Sequence, residues 1–171
     1  EIASCLVGSE MCIRDRSWVY SCGAGANYGT ALESALKMGE TIHIPSCCYE
    51  IEEYIHGPNL QLTPQYNVIF FDGNDGASRR VEQVYKATRK VTNRAYLISN
   101  NPQLSRDGHV LSLSDTVSSE LSPLVYLPFV QLLSFIVSND LHSIYQHPLL
   151  KEFKAIAAAK TENFVNYDGD D

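Results

Sequence analysis

The sequence predicts an α/β protein, a three-layer sandwich around a mainly parallel sheet. Three observations carry that reading. Residues 17–22 (SWVYSC) have strand character and run through the turn-forming stretch 23–29 into a helical segment, the opening of a βαβ unit. Residues 67–71 (NVIFF) and 95–99 (AYLIS) are short apolar runs of the kind buried on both faces of a parallel sheet. Between them, residues 77–91 have helical spacing, with Val81, Val84, Tyr85, Thr88 and Val91 able to share one face. Strands that alternate with helices place helices on both sides of the sheet.

Taken in order, residues 1–16 are expected to lie outside the fold. Leu6 to Asp15 can be encoded in frame by CTC GTG GGC TCG GAG ATG TGT ATA AGA GAC, a string that looks like a transposase-type sequencing adapter. The native reading then begins near Ser17. After the first strand a helix is expected over about 30–42, stopped by Pro45. A short second helix over 50–56 ends at Gly57-Pro58. The strand at 67–71 closes on the turn residues 72–76 (DGNDG). A short strand is expected at 109–113. Residues 122–141 read as a long buried helix with Pro123 in its first turn, where proline is tolerated. A last helical piece is expected at 149–159, before the acidic end 162–171.

Composition narrows the function classes. Of the 171 residues 44% are hydrophobic, as in a globular domain, and residues 17–161 suit a single one. The net charge is −7, and without residues 1–16 there are still 17 acidic against 11 basic residues. That argues against a nucleic-acid partner. The apolar stretch 121–137 is interrupted by Ser122, Pro123, Pro128 and Gln131, which reads as too short and too broken for a membrane span. Cys22, Cys47 and Cys48 form no C-x-x-C or Cys/His ligand pattern, so no metal is expected and the compartment reads as reducing and cytoplasmic. His43, His109, His142 and His147 have no metal spacing and read as structural. The glycine turn, Gly23-x-Gly25 with Gly29, is not a dinucleotide fingerprint, and no cofactor is expected.

One polar pattern stands out. Glu33, Lys37 and Glu40 sit at i, i+4 and i+7, so they project from one helical face. Sixteen residues after Glu40 comes His56-Gly57-Pro58. Two carboxylates, an amine and an imidazole can move protons. Taken alone, Glu33 and Lys37 also fit an exposed ion pair, and His56 a capping or core histidine.

Three stretches, Gly23 to Glu40, Glu53 to Pro58 (EYIHGP), and Gln131 to Phe135 (QLLSF) with Ala159-Lys160-Thr161, together resemble the sugar isomerase (SIS) domain family. More narrowly, the order is similar to the second of two SIS domains in glucosamine-6-phosphate synthases, fructosamine-6-phosphate deglycases and amino-sugar-phosphate deaminases. The resemblance implies a flavodoxin-like fold and the C-terminal half of a two-SIS-domain protein. It implies that Glu40 shuttles a proton between C1 and C2 of an open-chain sugar phosphate, that His56 helps open the sugar ring, that Glu33 and Lys37 tune the site, and that Lys160 matches a loop lysine that closes over substrate. It also implies a homodimer in which His56 serves the neighbouring subunit's site. The Ser/Thr-rich loop that holds phosphate in the first SIS domain has no counterpart after Gly25, so that half is expected upstream. Two departures from the synthase pattern, Glu52-Glu53-Tyr54-Ile55 before His56 and eleven residues after Lys160, favour a deglycase, deaminase or stand-alone isomerase. The alternative is a non-catalytic phosphosugar-binding SIS domain of a transcriptional regulator.

Overall fold

A computed structural model of the chain describes residues 18–104, 108–113, 117–143 and Ile156. Five parallel strands form one sheet: β1 (Val19–Gly23), β2 (Ser46–Glu50), β3 (Asn67–Asp72), β4 (Ala95–Ser99) and β5 (Val110–Ser112). Their order across the sheet is β2-β1-β3-β4-β5. β1 is central to the pairing, with Val19 opposite Ser46 on one side and Asn67 on the other. The chain moves outward from β1 to β2 and then crosses back to β3, so the order reverses between β1 and β3. In such sheets ligands bind outside the carboxyl ends of the strands at that reversal.

Alternation along each strand makes two separate cores. On one face Val19, Ile69, Phe71, Tyr96, Ile98 and Leu111 meet α1 (Asn27–Lys37) and α4 (Ser122–Leu141). On the other, Tyr20, Cys22, Val68, Phe70 and Leu97 meet α2 (Ile51–Ile55) and α3 (Ser78–Thr88). Rings dominate this second core: Tyr20 packs against Tyr49, Tyr54 and Tyr66, and Phe70 lies edge-on between Tyr54 and Tyr85. The three-layer α/β sandwich expected from the sequence is the observed architecture.

The expected elements at 67–71, 95–99 and 122–141 appear nearly residue for residue. Of the face expected to be shared by α3, Val81, Val84, Tyr85 and Thr88 are buried, whereas Val91 lies past the helix end and is exposed. Three details differ. The first helix starts earlier, at Asn27, because Gly23 lets it begin directly against the strand: a Cβ there would lie 2.3 Å from the Asn27 carbonyl oxygen. β2 is a strand the sequence hides. Its five residues, SCCYE, are all half-buried on the sheet edge and carry neither alternation nor a continuous apolar run. The third concerns α4. Helix continues through Pro128 for 20 residues with mean hydropathy 1.5, so by length and composition it could cross a bilayer, contrary to the expectation of too short a stretch. Tyr126, Val130, Leu133 and Val137 are fully buried against the sheet, which makes it a core helix, as expected. The expected helix at 149–159 falls outside the described residues, apart from Ile156.

Candidate active site

α1 forms because residues 31–38 are nearly all good helix formers, while Asn27, Thr30, Ala31 and Ser34 face the sheet. Ser21 in β1 and Ser34 in α1 share a buried hydrogen bond of 2.9 Å that fixes the helix on the strand. The helix then widens into a π-helical turn, Met38–Ile42, which ends on His43 in the left-handed conformation (φ 59°). Such turns recur at functional sites. Two hydroxyls take up its backbone carbonyls: Thr41 donates to Lys37 O (2.7 Å), and Ser143 beyond α4 donates to Thr41 O (2.5 Å).

Glu40 sits in this turn. Lys37 Nζ is 2.8 Å from Glu40 Oε2 and 3.5 Å from Glu33 Oε1, so the three residues form one group. The hydrogen bond to Glu40 is the chief cause that raises the Lys37 pKa, with Glu33 adding to it. The ammonium therefore stays charged and offsets one of the two carboxylates. Side-chain exposure is 30% for Lys37, 32% for Glu33 and 52% for Glu40, so Glu40 is the most accessible of the three.

His56 stands apart. It follows α2, on the opposite face of the sheet from α1. It is exposed, and its Nδ1 lies 2.6 Å from the carbonyl oxygen of Glu52. Lys160 lies outside the described residues. The structure thus brings Glu33, Lys37 and Glu40 together and separates His56 from them by the thickness of the sheet.

The crevice between β1 and β3 holds polar groups that sequence reasoning missed. Asp72 is fully buried and accepts hydrogen bonds from the hydroxyls of Ser78 (2.5 Å) and Ser99 (2.6 Å) and from the Asn74 amide (3.0 Å). The Tyr126 hydroxyl donates to the Asp72 carbonyl (2.7 Å). The Asn27 amide donates to the Ser122 hydroxyl (2.7 Å). A polar residue ending a strand buried on both faces is the signal that could have found Asp72. Outside this network is a cavity of about 350 Å³ lined by Gly25, Asp75, Gly76, Ser119 and Glu120 among others. Asp75 accepts from the Ala77 amide (2.8 Å), so a carboxylate of the chain already occupies the start of α3. Among the described residues, the lining of this cavity offers a phosphate two carboxylates and no cationic side chain.

Among the described residues no group of three His, Cys, Asp or Glu side chains could hold a metal. Cys22, Cys47 and Cys48 are free thiols; burial pushes Cys48 up to about 12 and raises Cys22 as well. His109 stacks on Tyr96 and contacts Arg89, His142 caps α4 in the left-handed conformation, and His147 lies outside the described residues.

A parallel sheet of order 2-1-3-4-5, with a carboxylate–ammonium group on its first helix, defines a flavodoxin-like α/β domain. The chain belongs to the SIS domain family, whose profile matches residues 13–123. In sequence it is similar to glutamine–fructose-6-phosphate aminotransferase (isomerizing) of Xylella fastidiosa strain Temecula1, with 26% identity over 132 residues, 76% of this chain and 22% of that protein. In structure it is similar to the C-terminal domain of glucosamine-fructose-6-phosphate aminotransferase from Francisella tularensis (TM-score 0.68, 24% identity, 81% of this chain and 40% of that one). It is also similar to tagatose-6-phosphate ketose/aldose isomerase from Escherichia coli (TM-score 0.63, 20% identity, 73% and 36%). The two structural likenesses speak for the fold. The chain spans about a fifth of the length of the curated relatives it matches.

Proposed function

We propose that the chain is the C-terminal SIS domain of a two-SIS-domain enzyme that acts on ketose or amino-sugar 6-phosphates by proton transfer between C1 and C2. The observation that carries this is the Glu33–Lys37–Glu40 group, with Lys37 held 2.8 Å from Glu40. Glu40 is the base. Its carboxylate takes the proton from the carbon beside the carbonyl, the C–H electron pair becomes a carbon–carbon double bond as the carbonyl π pair moves onto oxygen to give an enediolate, the proton of the neighbouring hydroxyl passes to that oxygen, and the same carboxyl returns its proton to the other carbon. Lys37 and Glu33 set the charge around it. His56 serves ring opening. A neutral ring nitrogen accepts the anomeric hydroxyl proton, the carbonyl forms as the bond from the anomeric carbon to the ring oxygen breaks, and the proton passes to that oxygen. Lys160 closes over the bound substrate.

Glu40 is 52% exposed, and proton abstraction from carbon is favoured when water is excluded from the site. Leu32 and Leu36 lie beside the group on the outward face of α1, and Leu124, Leu132 and Phe135 line the outward face of α4. This apolar surface is the seat of the second SIS domain, which also supplies the phosphate site. Homodimerisation brings His56 to a neighbour's site. Residues 17–161 are the domain in this reading. The free thiols suit a reducing, cytoplasmic setting. Deglycase, deaminase or isomerase chemistry fits better than the synthase, given the residues before His56. The triad favours an enzyme over a phosphosugar-sensing regulator. The test is Glu40→Gln in a full-length parent, assayed on a panel of fructose and fructosamine 6-phosphates. Turnover is expected to fall by at least about a hundredfold, the scale of a lost general base; undiminished turnover would overturn the assignment.

A further inference from the structure

Arg80, in α3, reaches across to α2 and grips Glu52 with both arms of its guanidinium: Nε to Oε1 is 2.6 Å and Nη2 to Oε2 is 3.0 Å. The backbone carbonyl of that same Glu52 lies 2.6 Å from His56 Nδ1. A carbonyl oxygen can only accept, so Nδ1 carries the proton, and in the neutral ring Nε2 is left with the lone pair.

α2 needs such a tether. It is five residues long, and a capping box of Glu50 and Glu53 secures only its first turn. Toward α3 a groove of about 260 Å³ runs beneath its C-terminal end, lined by Ile55, Asn59, Leu62, Val84 and Arg80 among others. Apolar packing is interrupted there. The polar links that bridge the two helices are Arg80 with Glu52, and the Tyr54 hydroxyl with the Thr88 hydroxyl at 3.0 Å. Arg80 is also the main cause that lowers the Glu52 pKa, and His56 contributes to the lowering, so Glu52 senses both partners.

We propose that Arg80 is a positioning residue for His56: by fixing Glu52 it holds the neutral imidazole as its Nδ1–H tautomer, with Nε2 free to accept a proton. The tautomer follows from the geometry alone, and its use in ring opening rests on the function proposed above.

The test is the tautomer of His56 in the ¹⁵N-labelled 171-residue chain. Long-range ¹H–¹⁵N correlation spectra of the neutral ring report it, with the His56 signals assigned by their loss in His56→Asn. The wild-type ring is expected to be mainly Nδ1–H. Arg80→Ala should raise the ratio of the Nε2–H to the Nδ1–H form several-fold, toward that of free imidazole. Glu52→Gln, which breaks the fork and keeps the carbonyl, should do the same, and Arg80→Lys should fall between. An exposed ion pair contributes little to global stability, so the amide spectrum outside α2 should stay unchanged. A wild-type ring found mainly as Nε2–H, or a tautomer unmoved by both Arg80→Ala and Glu52→Gln, overturns the proposal. Retained turnover in a His56→Asn parent would instead overturn the ring-opening role and leave the tautomer result standing.

Discussion

Gly23 shows how closely one residue can be specified. It ends β1, and the chain turns from it into α1 so tightly that a methyl group there would meet the backbone carbonyl of Asn27 at 2.3 Å. A backbone atom cannot rotate away as a side chain can. Gly23→Ala should therefore cost about 2–3 kcal/mol, the range of overpacked positions, read as a lower urea midpoint with an unchanged slope. The sequence marks this glycine as a strand-to-helix turn, and that is its role. Asp72 is the contrasting case. It opens a run of turn residues after NVIFF, and only its place at the end of a doubly buried strand distinguishes it from a solvated loop carboxylate. Its value is set by Ser78 and Ser99, which arrive from α3 and β4 only once the sheet is built. Glu33, Lys37 and Glu40 were legible because helical spacing alone brings them together; the π-helical widening under Glu40 was not, since one of the two hydroxyls that take up its carbonyls comes from Ser143, 102 positions further along the chain than Thr41.

At the scale of elements, the strands that read clearly were those whose burial is complete. β3 and β4 are buried at every position, and continuous apolar runs announce them. β2 is half-buried throughout, and it passes without a turn into α2 at Glu50. The same residue ends the strand and caps the helix: the Glu50 side chain accepts from the Glu52 amide at 2.6 Å, while Glu53 reaches back to the Glu50 amide at 3.3 Å. In so short a helix the cap is a large share of what holds it. Glu50→Ala should cost about 1 kcal/mol, typical of a lost N-cap. It should also speed amide hydrogen exchange over residues 51–56 while β3 and β4 keep their protection.

At the scale of the molecule, the two sides of the sandwich differ in what they leave exposed. α4 is apolar on both faces: Val130 and Leu133 are fully buried, whereas Leu124 is 68% and Phe135 is 63% exposed. A helix apolar all round is at rest only when covered all round. The chain by itself is therefore expected to self-associate in sedimentation experiments, and the double substitution Leu124→Glu and Phe135→Glu should yield a monomer with the same circular dichroism. A chain that stays monomeric at every concentration would count against the covering domain. The sheet itself has one more consequence. Because it stands between Glu40 and His56, the function proposed above has these two residues of one chain serve different sites of the dimer. A dimer assembled from one Glu40→Gln parent and one His56→Asn parent should hold one site lacking both groups and one lacking neither. Two inactive proteins, unfolded together and refolded as a mixture, should then recover activity that neither shows alone, as genetic complementation does within a single gene.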